Sequence, residues 1–270
     1  MGTLYLVATP IGNLEDISLR ALRVLKEVSL IAAEDTRRTR NLLTYYDIHT
    51  PVTSYHEHNK RTKLGYLLRR LAGGDVAVVS EAGTPGMSDP GYELVAACVE
   101  RGVAVVAVPG ASVVPAAVVV SGLPPTRFLF LGFLPRKEGE RKRLLQEVAP
   151  LPYTLVALEA PHRLRRSLEA IREVLGERRL ALCRELTKFH EEIFRGTPST
   201  ALVRFTQPRG EFTLVIAGAP GEQADPAAAM KELRRLKAQG LTARDALSEL
   251  SGVWGLSRRE LYRLWLKLKP

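Results

Sequence analysis

The stretch Asp75-Val76-Ala77-Val78-Val79-Ser80-Glu81-Ala82-Gly83-Thr84-Pro85-Gly86-Met87-Ser88-Asp89-Pro90-Gly91 carries the reading of the fold. Asp75–Ser80 is a short β-branched run of the kind buried on both faces of a sheet. Glu81–Gly91 is a glycine- and proline-rich loop. A helix over Tyr92–Glu100 and a second buried strand over Val103–Val108 follow. Strands joined through a helix run parallel and need cover on both faces.

The same alternation extends upstream. Leu4–Ala8 is a strand, and Ser18 can cap the helix after it, which carries Leu19, Leu22 and Leu25–Val28 inward. Leu30–Ala33 is a strand that ends in Glu34-Asp35-Thr36, before a helix over Arg37–Tyr45. Pro51–Tyr55 is a short strand, and Lys60–Leu71 a helix stopped by Gly73-Gly74. A helix starting at Ser112 completes a first α/β domain over 1–122, bounded by Ser121-Gly122-Leu123-Pro124-Pro125.

A second α/β domain is expected over 123–221. Its strands are Phe128–Gly132, Tyr153–Leu158, Leu180–Glu185, Glu191–Arg195 and Glu211–Ala217; its helices are Arg136–Val148 and His162–Leu175. The short link before Glu191 requires antiparallel pairing, so this sheet is mixed. Three short helices over Pro226–Gln239, Thr242–Leu250 and Ser257–Leu268 form a helix-turn-helix-like tail over 226–270. The fold class is therefore α/β: two α/β domains, the first mostly parallel and the second mixed, plus a small C-terminal helical domain.

Composition narrows the function. With 46% hydrophobic and 25% charged residues the chain is of ordinary globular type, not a disordered one. The longest apolar stretch, near Val113–Val120, is broken by Pro115 and is too short to span a membrane. The opening residues read as a strand rather than a leader. Two cysteines inside apolar runs, Cys98 and Cys183, build no disulfide framework, which fits a cytoplasmic protein. A net charge of +10 suits a polyanionic partner, or simply a basic enzyme.

Several chemistries lack their residues. No Gly-x-x-x-x-Gly-Lys-Ser/Thr is present, and the first strand–helix loop is not Gly-x-Gly-x-x-Gly. Ser112 has no glycine two positions after it, as a nucleophile elbow needs. Of five histidines only His56 and His58 are close, with no spacing that completes a metal site. What remains is three loops at the ends of buried strands: Pro10-Ile11-Gly12-Asn13, Glu81–Gly91, and Pro109-Gly110-Ala111-Ser112-Val113. Open α/β sheets bind ligands there, and glycine lets backbone approach a ligand closely.

At these loops the sequence resembles the tetrapyrrole methylase superfamily. Leu4–Asp16 resembles its first glycine-rich motif, Ser80–Gly91 its second, and Val108–Val113 its third. Arg184-Glu185-Leu186-Thr187-Lys188 and Gly210-Glu211-Phe212 resemble motifs of its C-terminal domain. Ala33-Glu34-Asp35-Thr36-Arg37, the His56/Asn59 segment and Glu159-Ala160-Pro161-His162-Arg163 are similar to the branch that methylates small-subunit ribosomal RNA. The resemblance implies a homodimer with S-adenosyl-L-methionine held in a cleft between the two domains. It implies a methyl acceptor at the ribose 2′-hydroxyl of a cytidine in the decoding region of 16S rRNA, as free RNA or in the small subunit. Carried over by position, donor contacts fall on Pro10, Ile11, Gly83, Thr84, Met87, Ser112, Val113, Leu158, Phe212 and Thr213. Where the superfamily has Gly-Asp-Pro, this chain has Gly83-Thr84-Pro85.

Methyl transfer from a sulfonium needs no metal, but a ribose hydroxyl is a poor nucleophile and a positioned base helps. Glu34, Asp35 and His56 are the candidates. Asp35 could equally be a helix cap, and His56 part of a solvated loop with Glu57, His58 and Asn59. Arg37, Arg38 and Asn59 are candidate RNA contacts, with the arginines able to hold phosphate or to pair with Glu34. The tail carries ten Lys and Arg against four Asp and Glu. In its last helix Leu261, Leu264, Trp265 and Leu268 form an inner face, while Arg259, Arg263 and Lys267 present cations on another. Two other readings stay open: a methyltransferase of a small tetrapyrrole-type molecule, and a non-catalytic RNA-binding protein. The basic tail argues against the first and the three loops against the second.

Overall fold

The computed structural model describes residues 2–87, 91–220, 226–250 and 258–268. Its first half alternates β1 (Leu4–Val7), α1 (Leu19–Glu27), β2 (Leu30–Ala33), α2 (Thr36–Tyr45), β3 (Val52–Ser54), α3 (Lys60–Gly73), β4 (Val76–Val79), α4 (Tyr92–Glu100) and β5 (Val105–Val108). The strands lie side by side in the order β3-β2-β4-β1-β5, and every pairing is parallel. Residues of β2 and β4 are all buried, because both faces are covered. Val7, Ile31, Ala33, Ala77 and Val79 pack on Ala21, Val24 and Leu25 of α1. Leu4, Leu30, Ala32, Val76 and Val78 pack on Leu67 and Leu71 of α3 and on Leu94 and Cys98 of α4. Each fully buried Leu or Ile here contributes roughly 1.5–3 kcal/mol.

β1 and β4 are therefore neighbours whose following helices, α1 and α4, cover opposite faces of the sheet. A crevice opens above the carboxyl ends of such a strand pair.

The second half runs α5 (Val113–Ser121), β6 (Phe128–Phe133), α6 (Glu138–Val148), β7 (Thr154–Glu159), α7 (Pro161–Leu175), β8 (Leu180–Arg184), β9 (Glu192–Gly196), α8 (Pro198–Arg204) and β10 (Phe212–Ile216). Its sheet has the order β6-β7-β10-β8-β9, with β6 and β7 parallel and the other neighbours antiparallel. Side chains alternate between faces. Leu155, Ala157, Leu182, Phe212, Leu214 and Ile216 meet α6, α7 and α8 on one face. Val156, Ala181, Cys183 and Val215 meet α5 on the other. α5 follows the last strand of the first sheet yet buries Val114, Ala117, Val118 and Ser121 against the second sheet. It ends at Gly122 (φ 77°), and Arg195 of β9 donates from Nε to the Ser121 carbonyl (3.2 Å) and from a terminal nitrogen to that of Val120.

The sequence reading does not contain α8. Its start is a capping box, in which Thr197 and Thr200 each accept from the other's backbone N–H, with Pro198 at the first helical position.

The tail comprises α9 (Pro226–Ala238), α10 (Ala243–Leu250) and α11 (Arg258–Leu266). Ala229, Leu233, Leu236, Ala246, Leu247, Leu250, Leu261 and Leu268 form a core of their own, with Leu264 and Trp265 packed against it, as the spacing on the last helix predicts. Ser257, read as the start of that helix, lies outside the described residues. Among the described residues no helix is long and apolar enough to cross a membrane.

Candidate functional site

Because all five strands of the first sheet are parallel, their carboxyl ends share one rim. Read across it, the ends carry His56 after β3, Glu34 and Asp35 after β2, Glu81–Met87 after β4, Pro10 and Ile11 after β1, and Ser112 and Val113 after β5. Residues scattered over about a hundred positions of sequence thus come to one edge.

Three loops converge at the crevice between β1 and β4. Thr9 and Gly83 exchange both backbone hydrogen bonds, N–H to carbonyl, at 2.9 and 3.0 Å. Gly83 is buried with φ 81°, which favours glycine. A Cβ on it would lie 3.3 Å from Ile11 Cγ2 and 3.7 Å from the Ala111 carbonyl, so each of the three loops reaches this point. Pro85 is buried and Thr84 half-buried, while Met87 is exposed. The Thr9 hydroxyl is buried without a hydrogen-bond partner.

Strand alternation sorts the residues of the second sheet. Leu158 and Thr213 are register partners. They lie on the same face as Val156 and Val215, which also packs α5, Ile11 and Val113. Phe212, in contrast, points to the opposite face and packs edge-on to Phe205 (5.3 Å between centroids). Its side chain faces away from the crevice, because successive residues of a strand point apart, so a donor contact at Phe212 falls to its backbone.

The link between β8 and β9 joins the two sheets. Glu185 and Thr187 there adopt left-handed backbone at φ 49° and 65°, a costly conformation for a β-branched residue. Thr187 Oγ1 accepts from Asn13 N–H (3.0 Å), and the Glu191 carboxylate accepts from Thr187 N–H (2.6 Å). Gly12 presses on this turn: a Cβ there would lie 2.4 Å from Lys188 Cγ. Lys188 Nζ sits between Glu211 (2.7 Å) and Glu185 (3.1 Å). Glu185 also accepts from Glu211 N–H (2.7 Å). Burial pushes the Glu185 carboxyl up, but that N–H and the Lys188 ammonium outweigh it and leave it below its usual range. Burial likewise pulls Lys188 down, and the Glu211 and Glu185 carboxylates raise it overall.

The candidate bases differ in what they already hold. Asp35 Oδ1 accepts from Arg37 N–H (2.8 Å) and Arg38 N–H (3.1 Å) and so caps α2. The Arg38 N–H, set against partial desolvation and helped by the Arg37 N–H, lowers its pKa. Glu34 Oε2 accepts from Glu81 N–H (3.0 Å), tying β2 to the loop after β4. The two adjacent carboxylates point apart, as a strand end requires. Arg38 pairs with Glu81 rather than Glu34, and Arg37 is exposed. His56 is half-buried, with Nδ1 buried and unpartnered. Asn59 Oδ1 accepts from His56 N–H (2.8 Å), and its amide nitrogen donates to Ser54 Oγ (2.9 Å). Its side chain thus holds the His56 turn instead of reaching outward.

Sequence reasoning quoted Glu159 within a motif but gave it no role. Its carboxylate is fully buried, accepts from Ala160 N–H (2.9 Å), a terminal nitrogen of Arg163 (3.4 Å) and the Ser167 hydroxyl, and pairs with Arg163 Nε at 3.2 Å. Arg163 in turn donates to the Leu134 carbonyl, and Leu134 N–H to that of Leu158 (3.4 Å). The signal was a Glu-x-x-x-Arg pair at a strand end. In the tail, Arg259 and Arg263 are exposed on α11, and Lys267 is exposed in the turn just after it. Among the described residues no group of three His, Cys, Asp or Glu could hold a metal ion.

Comparison with known proteins gives one consistent result. The family model for tetrapyrrole (corrin/porphyrin) methylases matches residues 3–201. A protein of Synechocystis sp. named ribosomal RNA small subunit methyltransferase I is 50% identical over 276 residues, 100% of this chain and 99% of its own. A Thermotoga maritima protein of the same name is 48% identical over 221 residues, 81% of this chain and 99% of its own. About a fifth of this chain therefore has no counterpart in it. The crystal structure of a diphthine synthase superposes with a TM-score of 0.66 over 80% of this chain and 90% of that one, at 13% identity, a likeness of fold alone.

Proposed function

Because the chain belongs to the tetrapyrrole methylase family, and within it to the ribosomal RNA small subunit methyltransferase I group, we propose that it methylates small-subunit ribosomal RNA. The donor is S-adenosyl-L-methionine and the acceptor the ribose 2′-hydroxyl of a cytidine in the decoding region of 16S rRNA. On this reading the chain works in the cytoplasm as a homodimer, on 16S rRNA or the assembled small subunit. The observation that carries the proposal is the meeting of Ile11, Gly83 and Ala111 above the β1–β4 crevice.

The crevice fits the donor. Side-chain-free backbone at Gly83, an unpartnered buried hydroxyl at Thr9 and apolar cover from Ile11, Val113 and Leu158 suit a nucleoside with a charged tail. Pro10, Ile11, Gly83, Thr84, Met87, Ser112, Val113, Leu158, Thr213 and the backbone of Phe212 would hold it. When bound, it supplies an electrophilic methyl group on a sulfonium.

The chain's own part is position and proton handling. The stitched Thr9–Gly83 pair fixes the floor, so attack geometry does not depend on loop order. Glu34 and His56 stand on the rim as acceptors for the hydroxyl proton, and Asp35 holds α2 in place between them. Arg37 faces solvent, where a ribose phosphate can approach.

The test is methyl transfer from labelled donor to purified small subunits and to naked 16S rRNA, with the label mapped to the nucleotide. Glu34→Gln and His56→Ala should cut turnover about 10²–10⁴-fold if either is the base, with donor affinity unchanged. Label on a tetrapyrrole, on a base atom or on nothing rejects the reading.

A further inference from the structure

We propose that the groove between α10 and α11 seats one unpaired nucleotide of single-stranded RNA, its base stacked on Tyr262 and its phosphates held by Arg244, Arg258 and Arg259. This deepens the reading above and rests on it.

The groove is a cavity of about 540 Å³ lined by Ala243, Arg244, Leu247, Arg258, Arg259 and Tyr262. Each helix contributes residues at i, i+1 and i+4, so a single face of each looks into it. Leu247 is buried and, with Ala243, forms an apolar floor. Tyr262 is 49% exposed and lines the groove, so part of its ring is open to a ligand lying there. The three arginines are exposed. Among the described residues the ion pair of the tail is Arg235 with Glu232, and none of these three arginines forms one.

The chemistry selects the occupant. A flat ring beside an apolar floor offers a stacking platform, and guanidiniums around it offer phosphate contacts; single strands are bound in this way. A duplex presents no open base to stack, and an acidic peptide would match the charge but not the ring. The groove also regroups the cations read from sequence. It joins Arg259 to Arg244 and Arg258, whereas Arg263 and Lys267 do not line it.

The test uses the full chain and a short fluorescein-labelled single-stranded RNA, with a duplex RNA of equal length and a polyglutamate peptide as competitors. Tyr262→Ala should weaken single-strand binding about tenfold or more, while Tyr262→Phe stays within about twofold. Replacing Arg244, Arg258 and Arg259 by Ala should reduce the slope of log affinity against log salt by about 2. Circular dichroism confirms that each variant is folded. Unchanged binding by Tyr262→Ala overturns the proposal, as does competition by polyglutamate as strong as by single-stranded RNA. Methyl transfer by the wild type is scored separately. If ribosomal RNA is methylated while Tyr262→Ala binds normally, the groove falls and the function stands. If no ribosomal RNA is methylated while binding depends on Tyr262, the reverse holds.

Discussion

Replacing Gly12 by Ala is the sharpest probe of the junction between the two sheets. The added Cβ would lie 2.4 Å from Lys188 Cγ, 2.7 Å from Thr187 Oγ1 and 3.0 Å from the Leu186 carbonyl. Carbon atoms rest about 3.5–4.0 Å apart, so the lysine stem must retreat by about 1 Å or more. Lys188 cannot swing away freely, because Glu185 and Glu211 both hold its ammonium. Overpacking of this kind costs about 1–3 kcal/mol. Losing the Asn13–Thr187 hydrogen bond adds about 0.5–1.5 kcal/mol. The melting temperature should therefore fall by roughly 3–18 °C, at about 2–4 °C per kcal/mol. Part of the displacement passes to Ile11, so calorimetric titration should show donor affinity reduced at least about tenfold. Adding Lys188→Ala removes the nearest atom and should restore part of the loss. A Gly12→Ala protein that melts and binds donor like the wild type would refute the contact between this loop and the Leu186–Lys188 turn.

Asp35→Ala should lower stability by about 1 kcal/mol through loss of the α2 cap, measured by urea denaturation. The Asp35 pKa is lowered in the folded state, so its contribution is complete above its ordinary value of 3.8. It disappears as the pH falls through the lower folded value, and the two proteins should converge there. A gap that widens on acidification contradicts the cap. Glu159→Ala leaves the half-buried Arg163 without its carboxylate and should cost about 3 kcal/mol in the same assay; a loss under about 1 kcal/mol would show the pair to be dispensable. Burial pushes the Cys183 thiol up to about 11 and raises that of Cys98 as well. Neither should react with iodoacetamide at neutral pH until the protein is unfolded, and fast labelling of native protein at Cys183 would contradict its burial.

Local signals carried most of the fold. Strands β1, β2, β4 and β5 were legible as short unbroken apolar runs, most fully buried in β2 and β4, where both faces are covered. Ser18 was legible as a cap because the hydroxyl acts three residues away, on Ala21 N–H (3.1 Å). α8 was not, since its capping box uses Thr200 where a Glu or Gln is the usual signature. At the site, the rim residues were legible as strand ends but not their partners. Glu34 binds a backbone group 47 positions away, and Arg38 takes Glu81 in place of Glu34. The need for glycine at position 12 depends on a turn more than 170 positions downstream. Periodicity reports which face a residue occupies, not what waits there. Phe212 shows the same gap: motif position put it beside the first-sheet loops, and strand alternation turns its side chain to the other face.

α5 begins at the loop after β5 and ends fastened to the second sheet by Arg195, so one nine-residue rod spaces that loop from the sheet. Inserting a single residue into that rod would rotate its end by about 100° and advance it by about 1.5 Å, unseating every apolar contact beneath it. The loops above such a spacer can change length without moving it, whereas the spacer itself cannot.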